Sequence, residues 1–319
     1  MNASSSFPKC LIYLNSKANN GTGLKNWATI ESEVKSLLPE KAEAVSYTPT
    51  FDITRHLKGT LNQSNEDLLV IAAGGDGTVN FVVNSIMELD GENRKKITLG
   101  AIGLGSSNDF QKPFKTAIKG IPCRLNLDNA KLSDIGIVDF QNSNGEQKKK
   151  HFIINASLGA TAEANRLFNR GDFFINAFKH RMVNLAIKYT AIKKILSYRN
   201  KEIQINCDGL QGNFKLTNLN VLKIPYVSGS LYYDQAVKPD DGRFGINLSH
   251  GMGVWELIKT LISLEKGVFK NDRHRTSVLT NSLEVDSKDD LVLETDGEIQ
   301  KARKIKFNIN PRALNLLGA

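Results

Sequence analysis

Short runs of branched apolar residues take turns with longer stretches whose apolar positions recur three and four apart, from Cys10 to Phe110 of this chain. The first kind of run marks strands buried on both faces, the second marks helices laid over them. Cys10 to Leu14 predicts a first strand, Leu24 to Leu38 a helix, Ala42 to Tyr47 a second strand and Phe51 to Leu61 a second helix. Asp67 to Ala72 follows as a third strand, Val79 to Leu89 as a helix and Ile97 to Ile102 as a fourth strand. Strands separated by helices require a parallel sheet, so residues 1–130 are expected to form an open α/β domain.

Near Cys123 the rhythm changes to strand after strand. Ser133 to Phe140, Phe152 to Ser157, Ile203 to Cys207, Leu219 to Ile224, Phe244 to Leu248, Arg275 to Val285, Leu291 to Glu294 and Lys304 to Ile309 all have strand character. Residues 131–319 are therefore expected to form a second, β-rich domain. The polar insert from Gln141 to Lys150 reads as an exposed hairpin loop, and Trp255 to Glu265 as one amphipathic helix. No internal repeat or low-complexity tract interrupts the chain.

The third predicted strand runs into Gly74-Gly75-Asp76-Gly77-Thr78-Val79-Asn80. Glycines at a strand-to-helix turn let the backbone approach a ligand and aim N–H groups at it, while the helix presents its positive end. Such a turn is either a phosphate cradle or a packing device. Asp76 is the informative residue, because a carboxylate inside an anion cradle repels phosphate unless it holds a metal, a hydroxyl or a neighbouring backbone group.

In an open α/β sheet ligands gather at the carboxyl ends of the strands. Two further polar clusters stand at such ends: Asn15 to Gly23 after the first strand, and Gly105-Ser106-Ser107-Asn108-Asp109 after the fourth. Each alone is ordinary turn chemistry, but all are expected to converge with the Gly74 turn. Far downstream, Glu294-Thr295-Asp296-Gly297-Glu298 is either a hairpin turn or the source of a base for a substrate hydroxyl. Pro239-Asp240-Asp241-Gly242-Arg243 is likewise a plain turn or a site for Mg²⁺ or Ca²⁺ built from carboxylate and carbonyl oxygens.

At 319 residues, with 40% apolar and 24% charged content, the chain can bury a full core in each of two domains. It has no run of eighteen apolar residues, and Met1 to Lys9 lacks the layout of a secretory signal, so a cytoplasmic protein is expected. The 3 cysteines, Cys10, Cys123 and Cys207, are too scattered for a disulfide framework or a metal cluster. A formal charge of +9 suits an anionic membrane surface, a nucleotide or nucleic acid. No helix-turn-helix or aromatic RNA-binding motif is present, and no nucleic-acid partner is expected.

The order and spacing of Gly74 to Asn80, Gly105 to Phe110, Asp240-Asp241-Gly242 and Asp296-Gly297-Glu298 resemble the diacylglycerol kinase catalytic family, including bacterial soluble lipid kinases and sphingosine kinases. The resemblance covers nearly the whole chain. It implies an α/β nucleotide-binding domain, a carboxyl-terminal β-sandwich-like domain whose last strands pack back on the first, and ATP and Mg²⁺ as cofactors. It also implies that Gly74, Gly75, Asp76, Gly77, Thr78, Val79 and Asn80 bind the ATP phosphates. Asn15, Thr48, Ser106, Asn108 and Asp109 would complete the nucleotide site. Glu298 falls at the proton-acceptor position, with Asp296 orienting it or helping to hold metal. Asp241, with the backbone carbonyls of Lys238 and Arg243, falls at a structural Mg²⁺ site. The chain departs from the family's usual pattern at Gly103, where it has Pro, at Gly105-Ser106-Ser107-Asn108-Asp109, where it has Gly-Thr-Gly-Asn-Asp or Gly-Thr-Ala-Asn-Asp, and at Asn15-Ser16, where it has Asn-Pro.

The reaction so implied moves the γ-phosphoryl of ATP to a lipid hydroxyl, with Glu298 or Asp296 as base and Asp76 near the phosphates. A lipid acceptor must be met at a membrane. Phe173 to Lys201 lacks Asp and Glu and mixes seven Lys and Arg with aromatic and aliphatic residues. It reads as a basic amphipathic helix, either packed on the sandwich or drawn peripherally to the inner membrane face. The alternatives are an NAD kinase-like enzyme, which shares the Gly-Gly-Asp-Gly-Thr turn but has a soluble acceptor, and a nucleotide-binding protein without turnover. The identity of the lipid and the oligomeric state are not encoded in any motif.

Overall fold

The computed structural model describes residues 7–48, 50–64, 66–170 and 197–318. Contacts divide the chain into two compact units, Met1–Ser133 with Arg312–Ala319, and Asp134–Pro311. Most of the segment expected to form the basic helix, Phe173 to Lys201, lies outside the described residues.

The first unit is built on a parallel sheet. Its elements are β1 (Lys9–Leu14), α1 (Thr22–Leu37), β2 (Ala42–Ser46), α2 (Ile53–Ser64), β3 (Leu68–Gly74), α3 (Asp76–Met87), the short α4 (Gly91–Lys95) and β4 (Ile97–Gly103). The strands lie in the order β2, β1, β3, β4, all parallel, and Asn315 and Leu316 pair in parallel with Thr98 and Leu99 of β4. β5 (Ala117–Ile118) and β6 (Ile121–Arg124) follow, with β6 antiparallel to the far end of β4. Every residue of β3 and β4 is buried, as their unbroken apolar runs require. Each large aliphatic side chain so buried contributes about 1.5–3 kcal/mol. α1 turns Trp27, Ile30 and Val34 inward, three positions on one helical stripe.

The second unit is antiparallel. β7 (Asn126–Gln141) enters it and forms a hairpin with β8 (Gln147–Phe152), so the polar insert is the hairpin loop and the start of its second strand. Then come β9 (Asn155–Gly159), α5 (Ala160–Arg170), β10 (Lys201–Cys207), β11 (Leu210–Leu222), β12 (Tyr226–Val227), β13 (Leu231–Tyr232) and β14 (Phe244–His250). They are followed by α6 (Val254–Glu265), β15 (Arg275–Thr280), β16 (Ser282–Asp286), β17 (Leu291–Thr295) and β18 (Glu298–Gly318). β11 pairs with β9, β9 with β17, β17 with β18, β18 with β16, β16 with β10, and β10 with β11, a circuit that returns to its starting strand. Phe152, Phe244, Phe307, Leu219 and Ile305 belong to one buried apolar core of this unit. Gly136 is opposite Phe152, where a Cβ would stand 2.3 Å from the ring, so only glycine fits there.

Two predicted strands are each divided. Phe152 to Ser157 breaks between β8 and β9 because the amides of Ile153, Ile154 and Asn155 turn to a side chain, Asp296, rather than to a neighbouring strand. Arg275 to Val285 breaks at Asn281, where the Thr280 hydroxyl donates to the Ser282 carbonyl at 3.1 Å. β15 then serves β14, while β16 serves β10 and β18. α5 was not among the helices expected in this half of the chain.

Candidate active site

β1 has β2 on one side and β3 on the other, so the strand order reverses between β1 and β3, the crevice where open sheets place ligands. β3 delivers the glycine turn to this point. Gly75 is extended (φ −90°, ψ −173°) and its carbonyl accepts the amides of Thr78 at 2.9 Å and Val79 at 3.2 Å, which starts α3. The Gly77 amide precedes these bonds and belongs to the positive end of the helix. A Cβ on Gly74 would stand 2.2 Å from Thr78 Oγ1, so glycine there makes room for the threonine. Asn15 Nδ2 donates to that same hydroxyl at 3.0 Å, and the Asn15 amide donates to the Ala73 carbonyl at 2.9 Å. The loop after β1 is thus fastened to the loop after β3.

The loop after β4 is fastened to the same turn. The Leu104 amide donates to the Gly74 carbonyl at 2.9 Å, and a Cβ on Gly105 would meet Gly75 Cα at 2.4 Å, so the two backbones touch. Asp76 accepts the amide of Asp109 on one carboxylate oxygen at 3.1 Å and that of Phe110 on the other at 3.0 Å. Of the partners expected for this carboxylate, the backbone group is the one seen here. Arg124 stacks its guanidinium 4.7 Å from the Phe110 ring centre and donates to the Phe110 carbonyl at 2.7 Å.

The three loops therefore converge, and some of their residues are buried in holding them together while others are exposed. Asn108 is buried in the left-handed conformation (φ 51°), where its side chain accepts the Gly105 amide and donates to the Gly103 and Gly105 carbonyls. Asp109 is paired with Lys112 at 2.6 Å. Val79 is wholly buried and Asn80 is buried against Asn84. These side chains hold the loops themselves together. Ser106 and Thr48 are exposed, and Thr48 bonds the Thr50 hydroxyl at 3.0 Å.

In the second unit, Asp296 and Gly297 form a two-residue hairpin turn between β17 and β18, both with positive φ (47° and 95°) as a type I′ turn needs. Its three carboxylates have different fates. Glu294 is buried, accepting the Ser157 hydroxyl at 2.5 Å and the Gly297 amide at 2.6 Å. Asp296, also buried, accepts the amides of Ile153 at 2.8 Å and of Ile154 and Asn155 at 2.9 Å each. That carboxylate holds the chain break between β8 and β9, beside the position expected to carry the base, Glu298. Glu298 is exposed at the first position of β18.

The expected Mg²⁺ ligands fare differently again. Lys223 sends its buried ammonium to the Lys238 carbonyl at 3.2 Å, the Arg243 carbonyl at 2.8 Å and Asp134 Oδ2 at 3.2 Å. Asp134 also accepts the Gly242 amide at 2.8 Å. Asp241 turns to Arg243, accepting its amide at 3.1 Å with the guanidinium at 3.4 Å. Burial pulls the Lys223 ammonium below the usual lysine range, and the charge of Asp134 opposes that pull. The carbonyls read as metal ligands are thus occupied by a lysine, and no cluster of His, Cys, Asp or Glu able to hold a metal occurs among the described residues. Lys223 escaped the motif reading, although a lone lysine in Val221-Leu222-Lys223-Ile224-Pro225 is a visible oddity.

Comparison with known proteins matches residues 9–139 to the diacylglycerol kinase catalytic domain and residues 155–318 to the YegS C-terminal NAD kinase beta sandwich-like domain. The chain is 29% identical over 239 residues to "Diacylglycerol kinase" of Bacillus subtilis, covering 72% of this chain and 71% of that protein. It is 31% identical over 136 residues to "Probable lipid kinase YegS-like" of Yersinia pestis, covering 38% of this chain and 42% of that one. A diacylglycerol kinase structure from Bacillus anthracis superposes with a TM-score of 0.65 at 16% identity, over 98% of this chain and 97% of that one, a likeness of fold. The chain belongs to the lipid kinase family that joins a diacylglycerol kinase catalytic domain to a YegS C-terminal beta sandwich-like domain.

Proposed function

We propose that this protein transfers the γ-phosphoryl group of ATP to the hydroxyl of a membrane lipid of the diacylglycerol or sphingoid kind. The observation that carries the reading is the exposure of Glu298 in a turn whose other carboxylates are consumed by backbone and hydroxyl donors. A lipid hydroxyl is too weak an acid to attack at neutral pH unaided, and Glu298 is the group left to take its proton. Gly75 and Gly77, at the head of α3, would receive the phosphates, with Ser106 beside them. A divalent metal neutralises the triphosphate in kinases of this chemistry. Asp76 would serve it indirectly by fixing the loop after β4, since its oxygens already hold amides.

Contact with the membrane would run through α6. Trp255 is 77% exposed and Ile262 52% exposed, and with Lys259 and Lys266 they follow one helical stripe. An aromatic and an aliphatic residue flanked by lysines suit the boundary of an anionic bilayer. No helix among the described residues is long and apolar enough to cross one.

The test is an assay with labelled ATP and Mg²⁺ against diacylglycerol, monoacylglycerol, a sphingoid base and NAD in parallel. Label extracted into the lipid phase supports the proposal. Label found only in NADP would replace it with the soluble-acceptor reading, and ATP binding without transfer to any acceptor would replace it with the non-catalytic one.

A further inference from the structure

We propose that the Lys223 ammonium is the resident cation of the second unit, built into the carbonyl cage in which the family resemblance puts a divalent metal. An ammonium carries three N–H donors and no acceptor. Lys223 has an acceptor for each: Asp134 Oδ2, the Lys238 carbonyl and the Arg243 carbonyl. The cage is therefore saturated by a side chain that is itself 2% exposed, against a partner carboxylate that is 0% exposed.

The fit to Mg²⁺ fails on the same observations. Mg²⁺ asks for six oxygens at about 2.0–2.1 Å in near-octahedral array. Here two of the carbonyl oxygens stand at hydrogen-bonding distance from a nitrogen, 2.8 and 3.2 Å, and the third predicted ligand, Asp241, is engaged with Arg243. A divalent ion at those carbonyls would sit against a fixed positive charge. Asp134, which no metal motif singled out, is the counter-charge, and its bond to the Gly242 amide at 2.8 Å draws the turn around the lysine. Gly242 adopts a positive φ of 70° that closes this turn. One lysine thus does for the strand end at Leu222 and the turn from Lys238 to Arg243 what a bound ion would do: it gathers carbonyl oxygens from separate stretches of chain onto one charge.

The experiment follows thermal unfolding of the full, nucleotide-free chain in EDTA, in MgCl₂ and in CaCl₂, for the wild type and for Lys223→Ala, Lys223→Met and Asp241→Asn. The wild-type Tm is expected to be the same in EDTA as in either metal. Lys223→Ala is expected to lower Tm by on the order of 10 °C, since it strands a buried carboxylate. Part of that loss should return with Mg²⁺ or Ca²⁺, which then has room in the cage. Lys223→Met should lose as much and regain nothing, because its thioether fills the space without charge. A wild-type Tm that rises with Mg²⁺ and ceases to do so in Asp241→Asn would overturn the proposal, as would a Lys223→Ala protein that melts with the wild type. Should Lys223→Ala fail to fold, the wild type and Asp241→Asn still decide the matter.

Discussion

The carboxylate of Asp76 takes the amide of Asp109, at 3.1 Å, from a loop 33 residues further along the chain. With the Phe110 amide on its other oxygen it ties the loop after β4 to the Gly74 turn. Asp76→Ala should therefore lower turnover at least tenfold through loosened phosphate positioning, with a loss of about 1–3 kcal/mol in stability. The ratio of activities in Mg²⁺ and Mn²⁺ should stay that of the wild type. A changed metal preference would mean that Asp76 is a metal ligand instead.

Glu298 and Asp296 are predicted to separate cleanly. Glu298→Gln should lower kcat by about 10²–10⁴ and leave Tm within the range of an ordinary surface change. Asp296→Ala should cost on the order of 3 kcal/mol or more, because it removes the acceptor of three buried amides. Paired kinetics and denaturant melts on both variants check this; an active Glu298→Gln enzyme would reject the assignment.

Backbone contact between Gly75 and Gly105 gives a third prediction. A methyl group on Gly105 meets Gly75 Cα at 2.4 Å, and neither main chain can swing away like a side chain. Gly105→Ala should raise the KM for ATP severalfold or more. Gly59→Ala, whose added Cβ meets nothing within 4 Å on α2, should leave KM alone and stabilise the protein by about 0.5–1 kcal/mol. Measuring ATP KM and Tm for the pair distinguishes a clash from a general intolerance of alanine.

Membrane contact through α6 is tested by Trp255→Ala with Lys259→Glu. Binding to vesicles containing anionic lipid should weaken strongly, while ATP hydrolysis or transfer to a detergent-solubilised lipid should persist. Sedimentation of protein with vesicles at low and high salt reads it out.

The thiols give a structural check. Burial pushes Cys10 up to about 12 and also raises Cys123 and Cys207. A disulfide reagent at about pH 8 should leave Cys10 and Cys123 unmodified in the native protein and modify all 3 cysteines in denaturant. Rapid native labelling of Cys10 would contradict the burial of β1.

What the residue string made legible, and what it hid, follows one physical division. Apolar runs such as Leu68 to Ala73 declare a buried strand by their own chemistry, and the Asp296-Gly297 pair declares a hairpin by its tolerance of positive φ. The α/β and β halves, and the polar loops gathered after β1, β3 and β4, were readable on those grounds. The bonds of Asp296 and Lys223 were not, and for Asp76 the string left a backbone group open beside a metal and a hydroxyl. Each of these side chains bonds main-chain groups, and a backbone amide or carbonyl looks the same in every residue. A carboxylate in a motif therefore reads as chemistry until the structure reveals which amides it holds. Asn108 teaches the same lesson, since the loop it closes is made of backbone atoms of Gly103 and Gly105.

The long β18 carries one further consequence. It begins with Glu298, and its Asn315 donates to Thr98 Oγ1 on β4 at 2.9 Å, across 217 positions of sequence. During synthesis the parallel sheet must wait for this strand until all of Asp134–Pro311 has left the ribosome. The α/β unit is thus the first to be made and the last to be completed. A fragment ending at Ser133 would expose the flank of β4 and should aggregate rather than fold as a free domain.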